Sequence, residues 1–167
     1  MNFTKNGMYS HENLEIGTRI KIKNWLDDME INYYLINTDL IIDIIGSVYL
    51  YNKDLTEFPD FINFNKVTGK FDCSDNNLST LRGVPRYVGE DFDCSNNQLT
   101  TLENSPQYVG GDFECSNNKI TSLRGAPKRV RNRFFCFSNL VGFTKEEIKA
   151  VCKTNIRKYN KRREEYI

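Results

Sequence analysis

At 167 residues, with 39% hydrophobic and 27% charged side chains and a net charge of +1, the chain has the composition of an ordinary folded domain, not of a disordered tail or a fibre. A chain of this length is long enough for one core, since folding at this size buries roughly two thirds of the surface that the unfolded chain exposes. The longest apolar stretch, around residues 40–45, is broken by Asp43 and falls far short of the roughly 20 residues that a membrane helix needs, which excludes a spanning helix.

In chain order, the segment from Met1 to Gly17 shows no apolar run behind a basic stretch, so the expectation is no secretory leader and a reducing, cytoplasmic setting. Residues 1–14 are expected to be loose. Thr18 to Met29 predicts an amphipathic helix that buries Ile22, Trp25, Leu26 and Met29. Tyr33 to Ile36 and Leu40 to Ile45, joined by Asn37-Thr38-Asp39, predict two strands. Residues 1–47 are therefore taken as an N-terminal cap.

The body of the chain repeats with a period of 21. Phe71, Phe92, Phe113 and Phe134 are each followed two residues later by Cys73, Cys94, Cys115 and Cys136, and three residues beyond each Cys stands Asn76, Asn97, Asn118 or Asn139. Leu78, Leu99, Ile120 and Val141 follow, then Leu81, Leu102 and Leu123, then Pro85, Pro106 and Pro127. A looser first copy runs from Val48 through Leu50, Leu55 and Phe58, with a 23-residue step to Phe71 and Lys53 in place of the Asn. The pattern x-x-Phe-x-Cys-x-x-Asn-x-Leu-x-x-Leu is that of a leucine-rich repeat with Phe and Cys in two of the Leu positions. No single unit can bury its own apolar face, so the units must stack, with their strands forming a parallel sheet over residues 48–143. Phe and Cys alternate with polar residues and should point inward. The recurrent Asn is expected to be buried and bonded to the backbone where the chain turns. Such short units leave no room for a convex helix, and Gly83-Val84-Pro85-Arg86-Tyr87-Val88 predicts turns or extended chain there.

Phe143-Thr144-Lys145-Glu146-Glu147-Ile148 predicts a helix start, with Thr144 and Glu147 as a capping box and Phe143 and Ile148 as a hydrophobic staple. Ile148, Val151, Cys152, Ile156 and Tyr159 continue at helical spacing, which makes residues 144–167 a C-terminal helical cap. The fold class expected is α+β: a short leucine-rich-repeat solenoid with one parallel strand face and a cap at each end.

Trp25-Leu26, Tyr34-x-Ile36-Asn37-x-Asp39-Leu40 and the Phe-x-Cys-Ser-x-Asn repeats together resemble a leucine-rich-repeat family common in tailed bacteriophage genomes. The resemblance covers roughly residues 18–143. It implies a solenoid expressed in the cytoplasm of an infected bacterium and says little about the partner, for which a host bacterial protein is the expectation.

Alternation places Asp72, Asp93 and Glu114, with Ser74, Ser95 and Ser116, on the outer strand face, flanked by Tyr49 and Tyr51 on one side and Phe135 and Phe137 on the other. Carboxylates framed by aromatics make a docking surface for a basic or mixed protein patch, and these ten residues are the first candidate site. The second is basic. Residues 128–165 hold twelve Lys or Arg against four Asp or Glu, a balance of +8 that leaves −7 for the rest. Lys128, Arg129, Arg131, Arg133, Arg157, Lys158 and Arg162 are placed to meet nucleic-acid phosphates, although Tyr108 and Tyr159 supply too few rings to interleave with bases. Self-association through the opposite charges is the third reading, and the oligomeric state stays open. Four Cys at 21-residue spacing, with His11 as the only His, do not match zinc-ligand spacing, and no calcium-loop motif is present. No metal or cofactor is expected. Catalytic motifs are missing, and a flat strand face offers no hollow, so the expectation is a protein that is not an enzyme.

Overall fold

The structure is a computed structural model that describes residues 11–154, with side chains from 14 onward. In chain order its elements are α1 (His11–Asp28), β1 (Tyr34–Ile36), β2 (Ile42–Ile44), β3 (Val48–Tyr49), β4 (Phe64–Val67), β5 (Phe71–Asp72), β6 (Tyr87–Val88), β7 (Phe92–Asp93), β8 (Tyr108–Val109), β9 (Phe113–Glu114), β10 (Arg129–Val130), β11 (Phe134–Phe135), α2 (Lys145–Val151) and β12 (Lys153–Thr154). The chain winds as a β-solenoid with a 21-residue turn, and each full turn contributes a strand to each of two sheets. The odd strands β3, β5, β7, β9 and β11 form a five-stranded parallel sheet, and β1, β2, β4, β6, β8, β10 and β12 form a seven-stranded one, antiparallel only at the β1–β2 hairpin.

The expected Phe-x-Cys strand face is the five-stranded sheet. Val48, Phe71, Phe92, Phe113 and Phe134 stand in register across it. Phe71, Phe92 and Phe113 are fully buried and stack nearly flat, with ring centroids 5.7 and 5.5 Å apart. Beside them each thiol donates to a carbonyl of the next turn, Cys73 to Asp93, Cys94 to Glu114 and Cys115 to Phe135. The seven-stranded sheet answers from the other side with Val67, Val88, Val109 and Val130, all buried. The recurrent Tyr-Val and Arg-Val pairs thus form real strands where the sequence predicted only turns or extended chain. A β-branched residue facing in and a large polar one facing out suits a half-buried strand.

Between the sheets the recurrent Asn is buried in the three central turns and bonded as expected. Asn97 Oδ1 accepts from Leu78 N, while its Nδ2 donates to the carbonyls of Cys73, Cys94 and Ser95. Asn118 repeats the set one turn on. Preceding each Asn is a residue in the left-handed region, Asp75, Asn96, Asn117 or Ser138 (φ between 50 and 55°), a conformation that short polar side chains tolerate.

Both caps differ from the sequence reading in extent. α1 begins at His11, so residues 11–14, expected to be loose, are helical; residues 1–10 lie outside the described residues. Ile22 and Leu26 are fully buried, and Trp25 sets its ring against Phe58 at 6.2 Å and Phe64 at 6.3 Å. At the other end Thr144 and Glu147 form the capping box, and Ile148 is buried. The helix then stops at Val151, which is exposed, and Cys152 turns extended so that β12 adds a parallel strand to β10. An open strand edge offers more backbone partners than a further helical turn would, which overrides the helical spacing of Val151 and Cys152. Ile156 and Tyr159 lie outside the described residues.

Candidate functional site

The first candidate surface is the outer face of the five-stranded sheet. Its strand register lines up Tyr49, Asp72, Asp93, Glu114 and Phe135 in one row. Tyr51, Ser74, Ser95, Ser116 and Phe137 follow two residues later in each turn. The ten residues come together, but not as an open ladder. Asp72 is only 9% exposed, and Ser74, Ser95 and Ser116 are buried. The carboxylates bend over the strand ends and accept from the backbone two residues on. Asp72 Oδ1 takes Ser74 N at 3.1 Å and its hydroxyl at 2.6 Å, Asp93 Oδ1 takes the same pair from Ser95 at 3.0 and 2.6 Å, and Glu114 Oε1 takes Ser116 N at 3.0 Å. Expected exposure gives way here because these carboxylates satisfy backbone amides that the left-handed turn leaves without a strand partner.

Charge in the row is moderated rather than cancelled. Lys70 lies 3.1 Å from Asp72, and their hydrogen bond and charge hold its ammonium above the usual lysine range although burial acts the other way. Burial raises the Asp93 carboxyl above the usual aspartate range, and the charge of Asp72 adds to this, while the bonds from Ser95 and the charge of Lys70 oppose it.

Tyr49 and Tyr51 are exposed, at 53% and 55%, as the alternation predicts. Phe135 and Phe137 are half-buried, with ring centroids 5.9 Å apart, and the Arg133 guanidinium stands 4.9 Å over the Phe135 ring. Between the last carboxylates and these rings is a hollow of about 530 Å³ whose walls include Asp93, Ser95, Glu114, Ser116, Asn117 and Phe137. The flat face that the sequence predicted is therefore indented. Phe137, half-buried at the last turn, forms one of its walls.

The basic candidates do not form one patch. Arg133 pairs with Asp112 at 2.6 Å and belongs to the five-stranded side, whereas Arg129 lies on the outer face of the seven-stranded sheet, with Lys128 and Arg131 exposed beside it. Arg157, Lys158 and Arg162 lie outside the described residues. Arg129 and Arg131 instead share a hollow of about 260 Å³ with Lys153. Tyr108 stacks flat on Tyr87, 4.8 Å between centroids and 4° between planes, with Lys66 over one end of the stack and Arg129 over the other. The sequence reading missed this row. Its signal was present in the 21-residue recurrence of Tyr87, Tyr108 and Arg129 before a Val.

The described cysteines are all free and buried, so none offers an accessible thiolate. Burial pushes the Cys136 thiol up to about 12 and the Cys152 thiol up to about 11. Among the described residues no group of three or more His, Cys, Asp or Glu is placed to hold a metal ion, and no helix is long and apolar enough to cross a membrane. Comparison with protein-family models, with curated proteins and with solved structures gives no match to this chain.

Proposed function

We infer that the chain is a non-catalytic docking protein whose five-stranded face holds a basic segment of a partner protein. The observation that carries this reading is the hollow bounded by the half-buried carboxylates of Asp93 and Glu114 and by the Phe137 ring. Carboxylates in partly dry surroundings attract Lys or Arg more strongly than fully hydrated ones do, and an aromatic wall receives the aliphatic stem of the same side chain. Tyr49 and Tyr51 extend the contact area at the other end of the row with little loss of side-chain freedom. The buried thiols and the closed Asn network serve the fold. Together with the resemblance of its repeats to short leucine-rich repeats of bacteriophage type, this makes a host bacterial protein the partner class and the host cytoplasm the place of action.

The test is titration of fluorescent Lys/Arg-rich peptides into wild type and an Asp93→Asn, Glu114→Gln double variant. The neutral side chains keep the oxygen acceptors for Ser95 and Ser116 and remove only the charge. Affinity should weaken about tenfold with no loss of thermal stability, the sum of two charge contacts of about 0.7 kcal/mol each. Equal binding by both proteins would remove this face as the docking surface.

A further inference from the structure

We propose that the outer face of the seven-stranded sheet is a second binding surface, independent of the first, that holds a single-stranded nucleic acid by its phosphates. Five strands from β4 to β12 bring Lys66, Tyr87, Tyr108, Arg129 and Lys153 into one register row, although 87 positions separate the first from the last in the chain (153 − 66). Their inward neighbours Val67, Val88, Val109 and Val130 are buried, so the row faces out. Arg86, Lys128 and Arg131 are exposed next to it in the chain.

None of these six cations forms an ion pair among the described residues. By contrast Lys70, Arg82, Arg124 and Arg133, also on the repeats, each hold a carboxylate. The carboxylate in register with the row, Asp43 opposite Lys66, accepts from Asn65 instead. Unpaired cations gathered on one face of a nearly neutral chain raise the local anion concentration and favour a polyanion.

The rings decide how such a polyanion is held. Tyr87 and Tyr108 cover one face of each other, and Lys66 and Arg129 stand over the remaining faces at 5.4 and 5.9 Å. A base can stack on these rings only by displacing the cation over each outer face, so the row offers first its ring edges, phenol hydroxyls, ammonium and guanidinium groups. All of these charged groups are donors suited to phosphate oxygens, and the Arg129, Arg131 and Lys153 side chains converge on one hollow of about 260 Å³ in which a phosphate can sit.

Shape separates the polyanions. At ~4.8 Å per strand the row runs about 19 Å in a line across the sheet. A flexible single strand follows such a line phosphate by phosphate, whereas a stiff duplex curves away from it. An acidic peptide carries its charges on separate flexible side chains, so each carboxylate must be ordered singly on the row, whereas a nucleic-acid strand presents its phosphates on one continuous backbone. The surface therefore binds without base preference.

The measurement is fluorescence anisotropy of labelled oligothymidylate and oligoadenylate strands across a salt series, with unlabelled duplex DNA and polyglutamate as competitors. Both strands should bind equally at about 50 mM salt, with a log–log salt slope of about −3, as about four phosphate contacts to a single strand give. An Arg129→Glu, Lys153→Glu variant should lose about tenfold in affinity and about 1.4 in slope, while Lys53→Glu, Lys119→Glu, with the same charge change on exposed residues elsewhere, stays near wild type. Both variants should melt like wild type. Absence of binding at low salt, equal loss in the control variant, or equal competition by duplex or polyglutamate would overturn the proposal. Loss of peptide binding to the five-stranded face leaves these readouts unchanged, so the two surfaces fail separately.

Discussion

Asn97 fastens its own turn to the one before it, its Nδ2 donating at 3.0 Å to the carbonyl of Cys73, 24 residues back in the chain. The same side chain takes Leu78 N on its oxygen, and it is only 3% exposed. Truncation to Ala leaves a buried amide and several carbonyls without that partner and with no water to replace it. Asn97→Ala should cost on the order of 3 kcal/mol in urea unfolding. Asn139 makes a matching set at the half-buried last turn, where water can enter, and Asn139→Ala should cost about a third as much. Equal costs at both positions would mean that the bonds matter less than the residue's turn conformation.

Asp93 gives the fold a pH dependence of its own. Its carboxyl pKa is raised in the folded state, chiefly by burial, so between the unfolded and folded values the folded chain binds more protons. Stability contributed at this site therefore falls as pH rises through that window and stays lower above it. Asp93→Asn removes the charge and keeps an oxygen for Ser95. Unfolding followed from pH 4 to 7 should show the variant gaining on wild type as pH rises, and a constant difference would show that the carboxylate's burial carries no penalty.

The inward half of this architecture was legible because its period is written in large residues. Phe, Cys, Asn and Leu recur at 21, and a core position tolerates few alternatives, so Phe71 to Phe134 and Asn76 to Asn118 announce both the stack and the turns. In the second sheet β6, β8 and β10 were hidden because they are two residues long, begin two positions after a Pro, and carry Tyr or Arg where a strand needs only something large facing out. The candidate site was misjudged in one respect. Alternation tells which way Asp72 leaves the strand, but not that its carboxylate then bends back onto Ser74, because that depends on the left-handed turn at Asp75. At the C-terminus, local helical spacing across Val151 and Cys152 competed with an open edge at β10, which β12 meets at a spacing of 24 residues, and no local pattern reports such an edge.

The thiols predict a second pH effect, of higher range. Cys73, Cys94 and Cys115 are raised well above the ordinary thiol range by burial, and Cys136 and Cys152 reach about 12 and 11 for the same first reason. A raised thiol pKa means that the folded chain keeps protons that the unfolded chain releases, so stability should decline as pH climbs above about 9. A disulfide-exchange reagent at pH 8 should find the folded protein nearly inert and release five equivalents only in denaturant. Cys136 and Cys152, in the last turns, should react first as that end opens. Prompt reaction at Cys94 would contradict the stacked core.

Two glycines that look alike in sequence should respond to alanine with opposite sign. At Gly110 an added Cβ would fall 2.0 Å from the carbonyl oxygen of Gly89, one turn earlier. Neither backbone can retreat freely, because Gly110 N donates to Val88 O and Gly89 N to Val67 O, both at 2.9 Å, so the clash must open the corner where the chain leaves the seven-stranded sheet. Gly110→Ala should cost on the order of 3 kcal/mol and lower the melting temperature by about 10 °C for a chain of this size. Gly17 lies inside α1 with nothing within 4 Å of an added Cβ, and there alanine removes only unfolded-state freedom. Gly17→Ala should raise stability by about 0.5–1 kcal/mol. A Gly110→Ala protein that melts with wild type would show that adjacent turns are not held at this spacing, and would undo the register on which both surfaces depend.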